Sequence, residues 1–454
     1  MYPCRPASDK VPDACLPAAI CYGTAMPAGT VERIAAFAGQ SVTLRGWLAG
    51  RRSSGKLHFL QVRDGTGTFR RRRSAMLGFR LNDEQEGFRH AVRTFAEKSL
   101  APRVEELERT ETFPKDLFAE LGRLGYLGVG YPETYGGSGG DMVMRCLLIE
   151  EIARVNCGFA AALLAHVGLG CIPIFRFGTE EQKTKYLVPA IRGEKLGSFG
   201  LSEPNSGSDA ASIRTTAERR GDHYVINGSK MFITNGNIAD YCLVAAYTDR
   251  ARRGAGISMF IVDTSTPGFS VSRKLRKTGH HTSETAALAF DDMQVPAAAL
   301  LGGTEGGFQQ VTGTLEGGRI THAARSVGVS QAALEAALRY AQERVQFGQP
   351  IAKFQAIKFK LARMATEVET ARTMMWRAAW LFDQGHCMRE AAMAKLFASE
   401  VAQRVTWEAV QIFGGYGYIT EFPVERFWRD ARLMTITEGM TEIQLIIIAR
   451  ELGL

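Results

Sequence analysis

Apolar residues in this 454-residue chain recur at helical spacing, then at strand spacing, then at helical spacing again, and that double switch most constrains the fold. After Asn82-Asp83, which reads as a helix cap, Phe88, Val92, Phe95 and Leu100 form one apolar stripe. Residues 150–174 are apolar and Ala-rich and suit a buried helix. Between 199 and 300 the pattern changes. HYVINGSK, YCLVAAYT, ISMFIVD and TAALAFDDMQVP are short β-type runs bounded by Asn-Gly, Asp and Pro. Beyond residue 305 long helices return, with Phe397, Val401, Val405, Ala409 and Ile412 on one face. Breaks near 348–350, at Gly385 and at Gly414-Gly415 delimit four long helices, which predicts an antiparallel bundle. A block of strands between two helical blocks argues against an alternating βαβ sheet. The expected fold is mainly α with a central β domain: an N-terminal α domain over 76–198, a middle β barrel or sheet over 199–300, and a C-terminal four-helix bundle over 301–454.

The net charge of +8 would fit a nucleic-acid partner if it were spread over the chain. It is not. Residues 1–75 carry twelve Lys/Arg and four acids, and the 43 basic and 43 acidic residues that follow cancel. The body therefore gives no electrostatic case for nucleic acid. The longest clean apolar runs, such as 445–448, are short of a membrane span. Eight scattered cysteines form no CxxC pair and no cluster with His, so no metal is expected and the thiols read as reduced and mostly buried. The start, with Pro3, Pro6 and Asp9, has no apolar core of a secretory signal. Bacterial cytoplasm is the expected location, with the mitochondrial matrix as the alternative, although the acids near the start make a poor transit peptide.

Six stretches carry the chemistry: FGLSEPNSGSDAAS (199–212), KMFITNG (230–236), ERVQFGQPI (343–351), QIFGGYGY (411–418), ERFWRDAR (425–432) and TEGMTEIQ (437–444). The 202–208 segment has the small-residue character of a loop that lets backbone N–H groups approach a ligand. Arg344 is suited to a bidentate grip on a diphosphate. Glu438 precedes a helix, where a lone acid ordinarily just favours the helix N-terminus. No GxGxxG follows a strand, and the Gly-rich 136–140 stretch lies in a helical region, so a Rossmann site is not supported.

With these six stretches in order and at matching spacing, residues 76–454 resemble the acyl-CoA dehydrogenase family. The resemblance implies FAD-dependent oxidation of an acyl-CoA thioester to the trans-2-enoyl-CoA, with Glu438 as the base that removes the α-proton. It implies that Leu201, Ser202, Gly207, Ser208, Phe232, Ile233 and Thr234 contact the flavin. It implies that Arg344, Gln346, Phe347 and Gln355 hold the diphosphate and adenosine end, joined by Gln411, Gly414 and Gly415 of a neighbouring subunit, and that Thr441 and Glu442 complete the cofactor site. Ser208, Glu316, Arg319 and Gly439 are implied as substrate contacts, and 159–166 as lining the acyl pocket. Some family members place the base immediately before an arginine on the first bundle helix. Here Gly318 precedes Arg319, which supports Glu438. An electron-transfer flavoprotein is the implied acceptor, and a homotetramer the implied assembly. A flavin oxidase of the same fold, acting on acyl-CoA or nitroalkanes, is the main rival. The reactivity of the reduced flavin with oxygen discriminates the two.

Residues 1–75 fall outside that resemblance. Disorder is expected over 1–30. Residues 31–67 resemble the start of the anticodon-binding OB-fold of asparaginyl-tRNA synthetases, with two strands joined by a basic turn at 51–55. A five-stranded barrel cannot close on two strands. The segment therefore reads as a fused or wrongly translated leader, with Met76 as the expected start, and RNA binding through it is a distant alternative.

Overall fold

The computed structural model describes residues 80–385 and 387–454, together with five strands in the segment before them. The chain divides into a compact unit over residues 1–80 and a second over 81–454. In the first, β1 (Ala28–Gly29) pairs in parallel with β2 (Thr43–Leu44). Strands β3 (Trp47–Ser54), β4 (Leu57–Arg63) and β5 (Thr68–Arg70) form an antiparallel sheet in that order. The two expected strands are there, with a third. The link is tighter than 51–55, because Arg51 and Arg52 sit within β3 opposite Leu60 and Phe59. Within the 1–30 stretch expected to be disordered, Ala28–Gly29 form β1; the rest of it and the start expected at Met76 lie outside the described residues.

The second unit opens on a reciprocal cap. The Asn82 side chain accepts the Gln85 N–H at 2.8 Å, and the Gln85 side chain accepts the Asn82 N–H at 3.0 Å. This starts α1 (Asp83–Phe95), followed by α2 (Val104–Thr110), α3 (Lys115–Arg123) and α4 (Met142–Val155). Asn156 then leaves the helical conformation and caps α5 (Cys157–Leu164) through the Phe159 N–H at 2.7 Å. A π-helical stretch, Ala165–Gly170, joins α5 to α6 (Ile172–Phe177), and the short α7 (Glu180–Gln182) and α8 (Val188–Ile191) complete the helical domain. The run Cys157–Phe177 is long and apolar enough to cross a membrane by composition, unlike the shorter runs weighed above. Some 89% of its most apolar window is buried inside the protein, as befits a core helix.

Seven strands follow: β6 (Gly197–Gly200), β7 (Thr216–Arg220), β8 (His223–Thr234), β9 (Tyr241–Tyr247), β10 (Ile257–Asp263), β11 (Phe269–Lys274) and β12 (Thr285–Pro296). Their order is β10-β9-β7-β8-β12-β11, with β6 parallel to β9. All seven residues of β9 are buried because the sheet is covered on both faces. Tyr241, Leu243, Ala245 and Tyr247 pack with Ile172, Ile174 and Leu187 of the helical domain. Cys242, Val244 and Ala246 point the other way, into a core with Ile226, Phe260 and Leu288. The four apolar strands were legible in the sequence. Exposed β11, polar β7 and the four-residue β6 lack the alternation that marks a strand.

The C-terminal domain has three long helices rather than four: α9 (Phe308–Glu343), α10 (Gln355–Gln384) and α11 (Met388–Phe413). A small hairpin of β13 (Val345–Gln346) and β14 (Gln349–Pro350) breaks the first pair, and Gly385, with φ at +135°, breaks the second. The place of a fourth long helix is shared by α12 (Val424–Ala431) and α13 (Thr441–Glu451), parted by a turn at 437–440. The fourth bundle neighbour of α9 is α4. Their crossing is so close that a Cβ at Gly328 would stand 2.4 Å from the Glu150 carbonyl oxygen. The five described cysteines are buried and free.

His166 ties the helical domain to the sheet. It is fully buried, its Nδ1 accepts the Gly197 N–H at 2.9 Å, and its Nε2 donates to the Ala190 carbonyl at 3.1 Å. Burial pushes its pKa down to about 4. The ring is therefore neutral when folded and titrates near 6.5 when unfolded, so its contribution is complete above 6.5 and is lost as the pH falls from there toward 4. Between about pH 7 and pH 5 this one group should cost about 2 kcal/mol of stability. Denaturant melts should show a shallower acid decline in His166→Gln than in the parent, and equal slopes would refute the assignment.

Candidate active site

The turn between α12 and α13 holds Glu438 at φ +57° and Gly439 at φ +84°. A glutamate in the left-handed region costs of order 1–3 kcal/mol and persists only where its surroundings over-determine it. They do so here from three helices. His322 Nε2 lies 2.9 Å from Thr437 Oγ1, and Arg325 Nη2 donates to that same oxygen at 3.3 Å, both from α9. From α11, Lys395 Nζ donates to the Gly439 carbonyl at 2.7 Å. From α13, Gln444 Nε2 donates to the Gly439 carbonyl at 2.7 Å and to the Glu438 carbonyl at 3.1 Å. A Cβ on residue 439 would stand 2.7 Å from that amide nitrogen, so the glycine is required twice over. Thr441 is the first helical residue of α13; Met440 is the cap position and makes no capping side-chain bond.

So fixed, the Glu438 carboxyl points inward. Its Oε2 is sealed from solvent and has no hydrogen-bond partner. Burial raises its pKa above the ordinary carboxylate value, against the pull of Arg325, Arg319 and Lys395. An unpartnered carboxyl with raised proton affinity is the electrostatic signature of a general base.

Gly318 of α9 faces this carboxyl. A Cβ there would lie 2.8 Å from Glu438 Oε2 and 3.8 Å from Leu169 Cδ2. Position 318 and the Glu438 side chain thus compete for one volume, and the glycine leaves it to the carboxyl. Leu169 comes from the π-helical stretch, a geometry that recurs at functional sites. The 159–166 segment expected to line an acyl pocket lies a turn earlier, packed in the core, and His166 spends both ring nitrogens on backbone groups. Glu316 accepts the Cys387 N–H at 2.9 Å, which ties α9 to the start of α11. Arg319 is buried, its Nη1 is 3.2 Å from Met388 Sδ, and its Nε has no partner.

The loop after β6 reaches the same region. Ser208 Oγ lies 3.1 Å from Met440 Sδ, two residues from Glu438. Gly207 has open space where a Cβ would stand. Beneath the loop, fully buried Lys230 donates to the Leu201 carbonyl at 3.1 Å and to Glu203 at 2.8 Å, while Met231 N–H donates to the Ser202 carbonyl at 2.9 Å. Glu203 also accepts the Arg214 and Thr215 N–H groups, so one buried ion pair sets the loop's course. At the end of β8, Phe232 is exposed with φ at +63°, and Thr234 is half-buried. Ile233 points into the sheet core, which leaves only its backbone for a ligand.

A separate groove of about 450 Å³ lies at the other end of α9. Arg344, Gln346, Gly414 and Gly415 line it with Tyr340 and Tyr416, and the Arg344 guanidinium sits 5.3 Å from the Tyr416 ring centroid. Phe347, Gln355 and Gln411 are exposed nearby in sequence. Thr441 and Glu442 are not part of this groove; they open α13 beside Glu438. Arg319 and Arg344 are 25 residues apart on one continuous helix and its cap, about 38 Å at 1.5 Å per residue. Arg325, Lys395, His322 and Gln444 were not singled out from the sequence. Their only sequence signal is a polar residue on an otherwise apolar helix face, as in AAMAKLFASEVA.

Comparisons with known proteins agree with this architecture. The family models for the acyl-CoA dehydrogenase N-terminal, middle and C-terminal domains match residues 82–194, 198–293 and 305–453. An acyl-CoA dehydrogenase of Bacillus subtilis is 48% identical over 373 residues, 82% of this chain and 98% of the relative. The solved butyryl-CoA dehydrogenase of Megasphaera elsdenii is 46% identical at a TM-score of 0.81, covering 83% of this chain and all of that one. A chain from structural work on the electron transferring flavoprotein of Acidaminococcus fermentans is 46% identical at a TM-score of 0.82, covering 83% and 99%. Sequence motifs, fold and comparisons lead to one conclusion: this chain belongs to the acyl-CoA dehydrogenase family, an oxidoreductase family of flavoproteins.

Proposed function

We propose that the chain oxidises a short acyl-CoA thioester to its trans-2-enoyl-CoA, with Glu438 taking the α-proton. The observation that carries this reading is the sealed, unpartnered Oε2 on a turn clamped by three helices. The short-chain preference rests on the likeness to butyryl-CoA dehydrogenase. The residues present fit FAD. Phe232 and Phe347 are exposed with positive φ, and Gly207, Gly414 and Gly415 have open space around them. Leu201, Ser202, Gly207, Ser208, Phe232, the Ile233 backbone, Thr234, Thr441 and Glu442 would hold the flavin end. Arg344, Gln346, Phe347, Gln355, Gln411, Gly414 and Gly415 would hold the diphosphate and adenosine end. When bound, FAD supplies the acceptor for the β-hydride. The chain's own task is to orient the thioester and move one proton. Ser208, Glu316 and Arg319 position the substrate. The Glu438 N–H would bond the thioester oxygen as charge develops on it. Glu438 Oε2 accepts the α-proton, and the acyl chain's exclusion of water favours that transfer.

Arg319, which faces the Glu438 turn, and Arg344, which lines the groove, are about 38 Å apart along α9, so the groove of one chain lies far from its own turn. We therefore place the adenosine end of each FAD in the groove of a second copy, in a homotetramer built from dimers. An electron-transfer flavoprotein is the proposed acceptor, on the likeness to the Acidaminococcus-associated chain.

Glu438→Gln should lower the rate of flavin reduction by butyryl-CoA by about 10³-fold or more while binding changes little. Flavin bleaching in anaerobic stopped flow reads this, and reduction at the parent rate would end the assignment. The groove makes a second prediction. Arg344→Gln should lose bound flavin, and refolding it together with Glu438→Gln should recover part of the activity, because in a mixed dimer one site has both residues intact while the other carries both substitutions. No recovery in mixed oligomers would show that the cofactor stays within one chain.

A further inference from the structure

Three cations face Glu438 at the turn, and further acids act on those cations, Glu316 on Arg319, Asp430 of α12 on Arg325 and Glu442 on Lys395, while buried, neutral His280 also faces Arg325. Arg319 and Arg325 face Glu438 from α9 and Lys395 faces it from α11; Glu442 and Arg450 lie farther out on α13. His322 is the remaining titratable group on α9 here, and burial holds its pKa well below the usual histidine value, so it is neutral. Arg325 and Lys395 are both buried. Among the described residues no carboxylate lies within ion-pair distance of either, in contrast to Lys230, which has Glu203 at 2.8 Å. Their polar contacts are few. Arg325 reaches Thr437 Oγ1 at 3.3 Å and its Nε has no partner, while Lys395 reaches the Gly439 carbonyl at 2.7 Å. Burying a cation without a counter-ion is costly, and a fold retains one only where something else requires it. The two contacts fall on the residues immediately before and after Glu438.

We propose that Arg325 and Lys395 are positioning residues that bracket the base, fixing Thr437 and Gly439 on either side of it and keeping its carboxylate charged inside an enclosure that would otherwise protonate it. The inference rests on Glu438 being the base. Neither cation needs to touch substrate. The sign follows from electrostatics. A buried carboxyl takes up a proton as the pH falls through its raised pKa, and the cations oppose that, so removing one moves the acid limb of activity to higher pH. Burial pulls the Lys395 ammonium down to about 8. Its charge is therefore present on the acid side, where the limb lies.

The test uses the FAD-loaded enzyme and two readouts. One is the pH profile of flavin reduction by butyryl-CoA. The other is the protonated-carboxyl stretch of Glu438 in difference infrared spectra of substrate-free protein, assigned by its absence from Glu438→Gln. Arg325→Gln and Lys395→Gln, which keep a hydrogen-bond donor and drop the charge, should each raise both midpoints by about one pH unit, a tenfold loss of ionised base below the midpoint. Arg325→Lys, which keeps the charge, should leave them near the parent value. Retained flavin absorbance and the parent's oligomeric state certify folding. Should one Gln variant fail to fold, the other and Arg325→Lys still decide. Unmoved midpoints in folded variants overturn the proposal. Rapid reduction by Glu438→Gln instead overturns the reading of the base, a separate failure.

Discussion

Everything at the proposed reaction centre depends on holding one carboxyl oxygen, Glu438 Oε2, sealed from solvent and without a hydrogen-bond donor. Left to itself, Glu438 would leave the left-handed region and rotate toward solvent. Hydrogen bonds from α9, α11 and α13 prevent this, and they fall on the backbone or on Thr437, while the cations act on the carboxyl only through their charge. The protein fixes the frame and leaves the reactive atom bare. This division explains why two long helices and a short one converge on one turn. A loop carrying its own stabilising bonds would spend them on the carboxylate and lower its basicity.

The sheet does comparable work for the other wall. Its central strand β9 is buried on both faces, so the loops of the sheet start from a rigid base. The 201–208 loop is anchored by Lys230 and Glu203 below it, and its tip meets Met440. Two parts of the chain more than 200 residues apart are thereby brought to van der Waals distance. The π-helical turn of the N-terminal domain adds Leu169 from a third direction.

Much of this was legible in the sequence because apolar periodicity reports burial directly. The capping box at Asn82, the strands at 257–263 and 285–296 and the apolar face of α11 are written in local pattern. Where burial and pattern part, the reading slipped. Exposed β11 shows no alternation, and the last two helices are short because the turn at 437–440 must interrupt them. FAAALLAH packs in the core, and nothing in its pattern says that its histidine is used up by backbone groups. Glu438 was singled out by its motif. Arg325 and Lys395 were not, because a single cation on an apolar helix face resembles a surface residue until the structure shows what surrounds it.

The contest between Gly318 and Glu438 for one volume has a consequence for how such a site can change. A carboxylate hung from the long helix would occupy the space now used by one hung from the turn. There is room for a single occupant. Relocating it by one substitution at a time passes through a protein with no carboxyl in place, or through one with two forced to share a proton. The small residue on α9 is in that sense half of the catalytic assignment, and the two positions should be read as a linked pair.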